Sequence, residues 1–125
     1  MGNAINWFEI PAKNFDRACK FYGDVLNGTI QKFEASEQMP IQMGFLPHEG
    51  DGSVGGAIVK GEGYEPTDKG AVVYLNGGED LSSPLSRVEK AGGKVVVPKT
   101  PIGENGFIAQ FMDTEGNRVA LHSMK

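Results

Sequence analysis

The chain repeats one pattern of secondary structure, and this repetition constrains its fold more than any other feature. In each half, an apolar strand is followed by a short amphipathic helix that ends at glycine, and then by several short strands. The first copy occupies residues 5–60 and the second residues 71–123. A unit of this size cannot bury its own sheet face, so repeated units must pack against each other. The repetition predicts one domain with two paired modules, residues 1–62 and 69–125.

The spacing of apolar residues predicts the limits of both helices. In the first half, apolar residues recur at intervals of three and four over residues 15–26, which stacks them on one helical face. Asn14 is expected to cap the start of this helix, and Gly28 to provide its left-handed stop. The second helix is expected to begin at Ser83-Pro84 and to end before Gly92. The remaining predicted strands cover residues 5–10, 29–33, 42–46, 54–59, 94–97, 107–112 and 117–122.

The composition argues against several classes of function. Among 125 residues, 12 are basic and 16 acidic, so no basic stripe is available and no nucleic-acid partner is expected. The apolar runs are far shorter than the roughly 20 residues that span a bilayer, so no membrane partner is expected either. The first residues carry no secretory signal pattern, and the single cysteine, Cys19, suits a reducing compartment. We therefore predict a cytoplasmic protein in which Cys19 is a small core residue.

Two strands carry mixed polar and aromatic side chains on one face. Because alternate residues of a strand point to opposite faces, Trp7 and Glu9 lie opposite the residues that pack under the first helix. On the last strand, the same alternation places Arg118, Ala120 and His122 on the face away from the helices. Such a surface is too polar for a sealed core and too mixed for ordinary exposure to solvent. It predicts the lining of a pocket.

The whole pattern resembles the vicinal oxygen chelate superfamily, which includes glyoxalase I, extradiol dioxygenases, fosfomycin-resistance enzymes and bleomycin-resistance proteins. The resemblance rests on the repeated order of strand, helix and three strands. It also rests on the segments Ile10-Pro11, Asp16-Arg17-Ala18, Phe21-Tyr22 and Asp113-Thr114-Glu115-Gly116-Asn117. It implies an α+β fold in which two paired βαβββ modules form a curled mixed sheet around a cleft. It also implies a homodimer.

The resemblance further implies where a metal would bind in the metal-dependent members of the family. There, side chains of the first, fourth, fifth and eighth strands hold a divalent ion, usually through histidine and glutamate. In this chain those positions fall on Trp7, on Gly55 or Gly56, on Val72 or Val73, and on Ala120. None of these residues offers a carboxylate or an imidazole to a cation. We therefore predict no metal and no cofactor.

A displaced metal site is the alternative. Glu9 and His122 each lie two residues from a ligand position, and hence on the same face. Two ligands are fewer than the three protein ligands that catalytic sites normally use. Such a site would need help from substrate or from another chain.

The leading functional hypothesis is a small-molecule-binding protein that sequesters a ligand in the cleft between the modules, as bleomycin-resistance proteins do. The predicted ligand-binding residues are Trp7, Tyr74, Met112, Arg118 and Ala120. The alternative is an enzyme, a glyoxalase-like lyase or isomerase in which Glu9 and His122 are catalytic, by a displaced metal or by metal-free proton transfer. A third alternative is a protein-interaction module whose cleft is filled by side chains.

Several candidates also have a purely structural interpretation. Glu9 is expected to form an ordinary ion pair with Arg118, and Trp7 to fill the core. His122 is read as an exposed residue at the end of its strand. His48 follows Pro47 and precedes Gly50, so it is predicted to be a surface loop residue.

Overall fold

In the residues that the computed structural model describes, 2–38, 40–50 and 52–125, two four-stranded mixed sheets and two α-helices make up the fold. No helix in this part of the chain is long and apolar enough to cross a membrane. The first module contains β1 (Trp7–Pro11), α1 (Phe15–Leu26), β2 (Gln31–Phe33), β3 (Gln42–Phe45) and β4 (Gly55–Lys60). The second contains β5 (Val73–Asn76), α2 (Ser82–Val88), β6 (Lys94–Pro101), a 3₁₀ turn (Gly103–Asn105), β7 (Phe107–Met112) and β8 (Arg118–Ser123).

The two sheets have the same topology. The strand order is β1-β4-β3-β2 in the first and β5-β8-β7-β6 in the second, and the first and last strands of each module pair in parallel. All the other strand pairs are antiparallel. This confirms the predicted α+β fold of two βαβββ modules. The parallel register sets Trp7 beside Gly55 in the first sheet and Tyr74 beside Ala120 in the second.

Helix α1 has the predicted limits, but its stop is made by a different residue. The Asn14 side chain accepts a 3.1 Å hydrogen bond from the Arg17 amide, which confirms the predicted N-cap. Gly28 was expected to take the left-handed conformation, and this is wrong. Asn27 takes it, with φ 52° and ψ 51°. Asparagine tolerates these angles better than most residues with a side chain, so Asn27 ends the helix without need of the glycine that follows it.

Helix α2 begins at Ser82, and the predicted cap at Ser83 is wrong. Asp80 performs that role, because its carboxylate accepts from the Ser82 amide at 2.9 Å and its carbonyl from the Ser83 amide at 3.2 Å. Pro84 does lie in the first turn, where its missing amide hydrogen is not needed. Strand β6 runs to Pro101, beyond its predicted end, with irregular register against β7.

The main hydrophobic core lies between the helices and the sheets and contains residues of both modules, and a smaller cluster around Met43, Ala57 and Val59 lies apart from it. Its centre is an aromatic group in which the ring of Phe21 lies 4.9 Å from that of Tyr22 and 5.8 Å from that of Phe111. Cys19 is buried in this core, as predicted, and burial raises the pKa of its thiol to about 11. The thiol therefore stays protonated at neutral pH. Because one core serves both modules, the sheets are joined through their helix-covered faces.

The Asp113–Asn117 turn between β7 and β8 connects the second module to the first. One carboxylate oxygen of Asp113 accepts from the amides of Glu115 and Asn117 at 2.8 and 2.9 Å. The other accepts from the Tyr22 hydroxyl at 2.7 Å and from the Asn117 side chain at 2.9 Å. Asp113, Glu115 and Asn117 are all buried. The acidic motif near the end of the chain is therefore scaffold.

Glu115 extends this connection to the start of α1. Its Oε1 accepts from the amides of Lys13 and Asn14 at 2.8 and 2.6 Å, and its Oε2 accepts from Arg17 Nε at 2.7 Å and from the Thr114 hydroxyl at 2.9 Å. Burial alone would raise the pKa of Glu115. The hydrogen bonds from Arg17 and from its other donors outweigh burial and lower the pKa. The second module thus satisfies amide groups that α1 leaves without partners.

Candidate functional site

Each sheet has one face covered by the helices and one open face. On the open face of the first sheet lie Trp7 and Glu9, opposite Phe8 and Ile10, which pack in or against the core as the alternation predicted. The open face of the second sheet carries Tyr74, Gln110, Met112, Arg118, Ala120 and His122. The candidate residues therefore fall on two separate open faces, one in each module.

Trp7 is an exposed aromatic residue on the first open face. It is 43% exposed, so the interpretation in which it fills the core is wrong. Its ring meets that of Phe45 edge to face, with centroids 6.1 Å apart, and its Nε1 donates to Glu9 Oε2 at 3.4 Å. These two contacts hold the indole against the sheet and leave the rest of its surface to solvent.

Glu9 does not pair with Arg118, contrary to the structural expectation. Its carboxylate lies near the hydroxyl of Tyr64, a residue of the connection between the modules. The negative charge of Glu9 is the main cause that raises the pKa of Tyr64, and burial is the second. Arg118 instead donates from Nη1 to Gln110 Oε1 at 3.1 Å. The two charges belong to different sheets, and each has found partners in its own surroundings.

On the second open face, a chain of hydrogen bonds covers Ala120. In the sheet register, Ala120 lies between Tyr74 on β5 and Gln110 on β7. The Gln110 side chain donates from Nε2 to the Tyr74 hydroxyl at 3.3 Å, above the methyl group, and Ala120 is 0% exposed. Tyr74 itself is 48% exposed. A ligand would therefore meet Tyr74 first, and Ala120 only after Tyr74 and Gln110 separate.

His122 and Met112 are half-buried at opposite ends of this face. The Nε2 of His122 lies 2.6 Å from the carbonyl oxygen of Asn105. Because a carbonyl only accepts, Nε2 must carry the hydrogen, which leaves Nδ1 as the nitrogen available for proton transfer. Met112 is paired with Arg118 in the register of β7 and β8.

Two pockets open on these faces, and each is lined by one module. The first, of about 460 Å³, includes Trp7, Phe45 and His48. The second, of about 810 Å³, includes Tyr74 and His122. Neither pocket lies between the two modules of one chain, and the predicted cleft between modules did not specify whether they belong to one chain or to two. The modules join through α1 and the shared core, so their open faces do not meet in either pocket.

His48 is a pocket residue that the sequence reasoning placed on a surface loop. It is exposed, as predicted, but its ring lies over the backbone of Gly55. A Cβ atom at Gly55 would lie 2.9 Å from His48 Nε2 and 3.3 Å from Trp7 Cζ3. The sequence signal for this arrangement is Gly55. It stands at a position where the metal-dependent members of the family carry a metal ligand. Its missing side chain leaves room for a ring from elsewhere in the chain.

The residues at the four metal-ligand positions of the family do not fit a metal ion. Over the described ranges, no group of three or more histidine, cysteine, aspartate or glutamate side chains could hold a metal ion. On β1 the ligand position carries an indole, and on β8 it carries the covered methyl group of Ala120. Neither group coordinates a divalent cation.

Comparison with known proteins agrees with this architecture. Residues 4–121 match the model of the glyoxalase/bleomycin resistance protein/dioxygenase superfamily. A glyoxylase-like domain-containing protein of Didymella fabae is 34% identical over 131 aligned residues, which cover 94% of this chain and 91% of the relative.

Solved structures show the same fold at low sequence identity. A glyoxalase/bleomycin resistance protein from Albidiferax ferrireducens superposes with a TM-score of 0.73 at 12% identity, over 95% of this chain and 97% of the other. Glyoxalase I from Zea mays superposes with a TM-score of 0.69 at 20% identity over 94% of this chain, which spans only 45% of the maize protein. With its fold and nearly its whole length matched, this chain belongs to the glyoxalase/bleomycin resistance protein/dioxygenase superfamily.

Proposed function

We propose that this protein is a metal-free small-molecule-binding protein of the glyoxalase/bleomycin-resistance type, and that it binds its ligand as a homodimer. The observation that carries the proposal is the pair of exposed aromatic rings, Trp7 and Tyr74, on the open faces of the two sheets. Ligand sites are mostly apolar and aromatic, with a few polar groups that fix orientation. Here Glu9, Arg118 and His122 are the polar groups.

The one-sided pockets support the proposed dimer. A small-molecule site usually buries about 70–90% of the surface of its ligand, which requires protein on both sides of the ligand. Each of the two pockets on the open faces has lining residues from one module only. We propose that the first module of one copy faces the second module of its partner, so that Trp7 and Tyr74 form opposite walls. Met112 adds adaptable apolar surface to the second wall. The proposal places the protein in the cytoplasm, where the Cys19 thiol would stay reduced.

The test of this arrangement is complementation between two inactive variants. Trp7→Ala and Tyr74→Ala each remove one wall, so each homodimer should lose binding of an aromatic fragment selected by ligand-observed NMR. A mixed dimer of the two variants has one site with both walls removed and one site with both walls intact. Random subunit exchange makes half of the dimers mixed, and each mixed dimer has one intact site of two, so mixing equal amounts should restore binding to about a quarter of all sites, as measured by calorimetry. If each site lay within a single chain, mixing would restore nothing.

An enzymatic function is the second candidate, and the surroundings of Glu9 favour it. This carboxylate has no basic partner among the described ion pairs, and it lies beside the Trp7 indole and the Tyr64 hydroxyl. Such a group can accept a proton from a bound substrate, with His122 Nδ1 as a second proton carrier. The protein would then be a glyoxalase-like lyase or isomerase without metal. Glu9→Gln should abolish turnover while the melting temperature stays unchanged, and turnover that survives this change would exclude Glu9 as the base.

A further inference from the structure

The loop between β3 and β4 presents an imidazole to the pocket of the first module. His48 Nε2 occupies the space that a side chain at Gly55 would take, next to the far edge of the Trp7 indole. The pocket around it is lined by the apolar groups of Trp7, Phe45, Leu46 and Pro47 and by the polar side chains of Thr29 and Gln31. An imidazole nitrogen thus lies close to an aromatic surface, and a few polar groups beside apolar ones are what orients a ligand.

The hydrogen bonds behind the ring determine which nitrogen carries the hydrogen. The Ser53 hydroxyl donates to the carbonyl of Gly50 at 2.8 Å, so its single hydrogen is already committed. His48 Nδ1 lies 2.7 Å from the same hydroxyl oxygen. Since that oxygen can only accept from the ring, Nδ1 must be the donor. In the neutral ring, Nε2 is then an acceptor, and it lies over Gly55 in a side chain that lines the pocket.

We propose that His48 is a ligand-binding residue whose Nε2 accepts a hydrogen bond from the hydroxyl group of a flat aromatic ligand. This inference rests on the proposed function and names its ligand class. The ring of such a ligand packs on Trp7 and Phe45, and its hydroxyl reaches Nε2. A carboxylate ligand offers no hydrogen at neutral pH, and the Glu9 charge beside Trp7 disfavours an anion in the same place. A neutral phenol has a hydrogen to donate and carries no negative charge.

The test compares two probes that differ by one hydrogen-bond donor. β-Naphthol and its methyl ether share the same flat ring, but the ether has no hydrogen to donate. The wild-type protein should bind the naphthol about tenfold more tightly, the ratio that corresponds to about 1.4 kcal/mol. His48→Phe keeps a flat ring and removes the acceptor, so the ratio should fall close to one, while affinity for the ether stays the same.

Two further variants separate the role of His48 from general damage to the pocket. Ser53→Ala removes the acceptor of Nδ1–H, so the ring should lose its single tautomer in long-range proton–nitrogen NMR spectra, and the naphthol preference should decline. Gly55→Ala places a methyl group where Nε2 lies and should displace the ring. The ring is the mobile end of a side chain, so the fold should be kept.

The outcomes distinguish the two proposals. Equal binding of naphthol and ether by the wild-type protein overturns the role of His48 and leaves the binding function standing. A tenfold preference that persists in His48→Phe overturns it as well. If neither probe binds and the aromatic fragments also fail, the proposed function is overturned together with this inference.

Discussion

The Tyr22 hydroxyl donates a 2.7 Å hydrogen bond to Asp113 Oδ2, and both groups are buried where helix α1 of the first module meets the turn after β7 of the second. Burial and then the Asp113 charge raise the pKa of Tyr22, so the hydroxyl remains a donor over the whole range in which the protein would be studied. This bond joins the two modules beside the polar contacts of Glu115 with the start of α1.

Replacement of Tyr22 with phenylalanine should therefore destabilise the protein. The change keeps the ring and leaves Asp113 Oδ2 short of one donor in the interior, which typically costs about 1–3 kcal/mol. Urea denaturation followed by circular dichroism measures the loss. Tyr74→Phe is the matched control, because that hydroxyl lies at the surface and its removal should change the free energy of unfolding by less than about 0.5 kcal/mol. Equal effects of the two variants would contradict the role given to the Tyr22 bond.

The buried carboxylate of Glu115 should make stability depend on pH in the acid range. Its pKa is lower in the folded protein than the ordinary value of 4.5, so its contribution is present above that value and is lost as the pH falls through the folded pKa. We expect the melting temperature to decrease below about pH 4.5 in the wild-type protein. Glu115→Gln should be less stable at pH 7 and should show a shallower acid loss.

Glu104 supplies the control for this experiment. It is exposed in the 3₁₀ turn, so Glu104→Gln should keep the wild-type pH profile. An unchanged profile in Glu115→Gln would show that other carboxylates govern the acid transition.

A larger side chain at Ala120 should disturb the second open face. Valine adds two methyl groups beneath the hydrogen bond between Gln110 and Tyr74, where no surface is exposed. Such overpacking typically costs about 1–3 kcal/mol. Thermal unfolding measures this cost, and a shift of the Tyr74 ring resonances reports the broken contact. Ala71→Val at an exposed position should change neither quantity. A neutral Ala120→Val variant would mean that Tyr74 and Gln110 already move apart freely.

Metal titration tests the donor chemistry of the open faces. Calorimetric addition of Zn²⁺, Ni²⁺, Mn²⁺ and Fe²⁺ to chelator-treated protein should show no stoichiometric uptake, because the four family positions lack ligands. Tight uptake that is lost in both Glu9→Gln and His122→Asn would instead establish the displaced site and overturn the metal-free proposal. His48→Ala serves as a control for adventitious binding to an exposed imidazole.

The elements that depend on local patterning were predictable from the sequence. The limits of α1, its cap at Asn14, the turn at Asp113–Asn117 and the inward direction of Ile10 all follow from periodicity and turn chemistry within a few residues. The residues that end α1 and cap α2 were not predictable in this way. Asn27 competes with Gly28 for one left-handed position, and Asp80 caps α2 from two residues before its start.

The candidate site was predictable by face but not by assembly. Alternation along β1 places Trp7 and Glu9 on the open face without any knowledge of the fold. The position of His48 depends on how one loop returns over Gly55, and the separation of Glu9 from Arg118 depends on how the modules pack. Both are tertiary facts that strand periodicity does not contain.

The hairpin turns of the two modules have taken different tasks. In the second module, side chains of the Asp113–Asn117 turn bind the neighbouring helix, and Glu115 accepts hydrogen bonds from amides at the start of α1. The start of α2 is served by Asp80 and by the Ser123 hydroxyl, so it makes no such demand on the described residues of the corresponding turn of the first module, 47–50 and 52–54. The described side-chain hydrogen bonds of this turn stay within it, so its sequence can vary more than that of the second turn. Diversification of ligand preference among close relatives should therefore concentrate in residues 47–54, while the second turn stays constant.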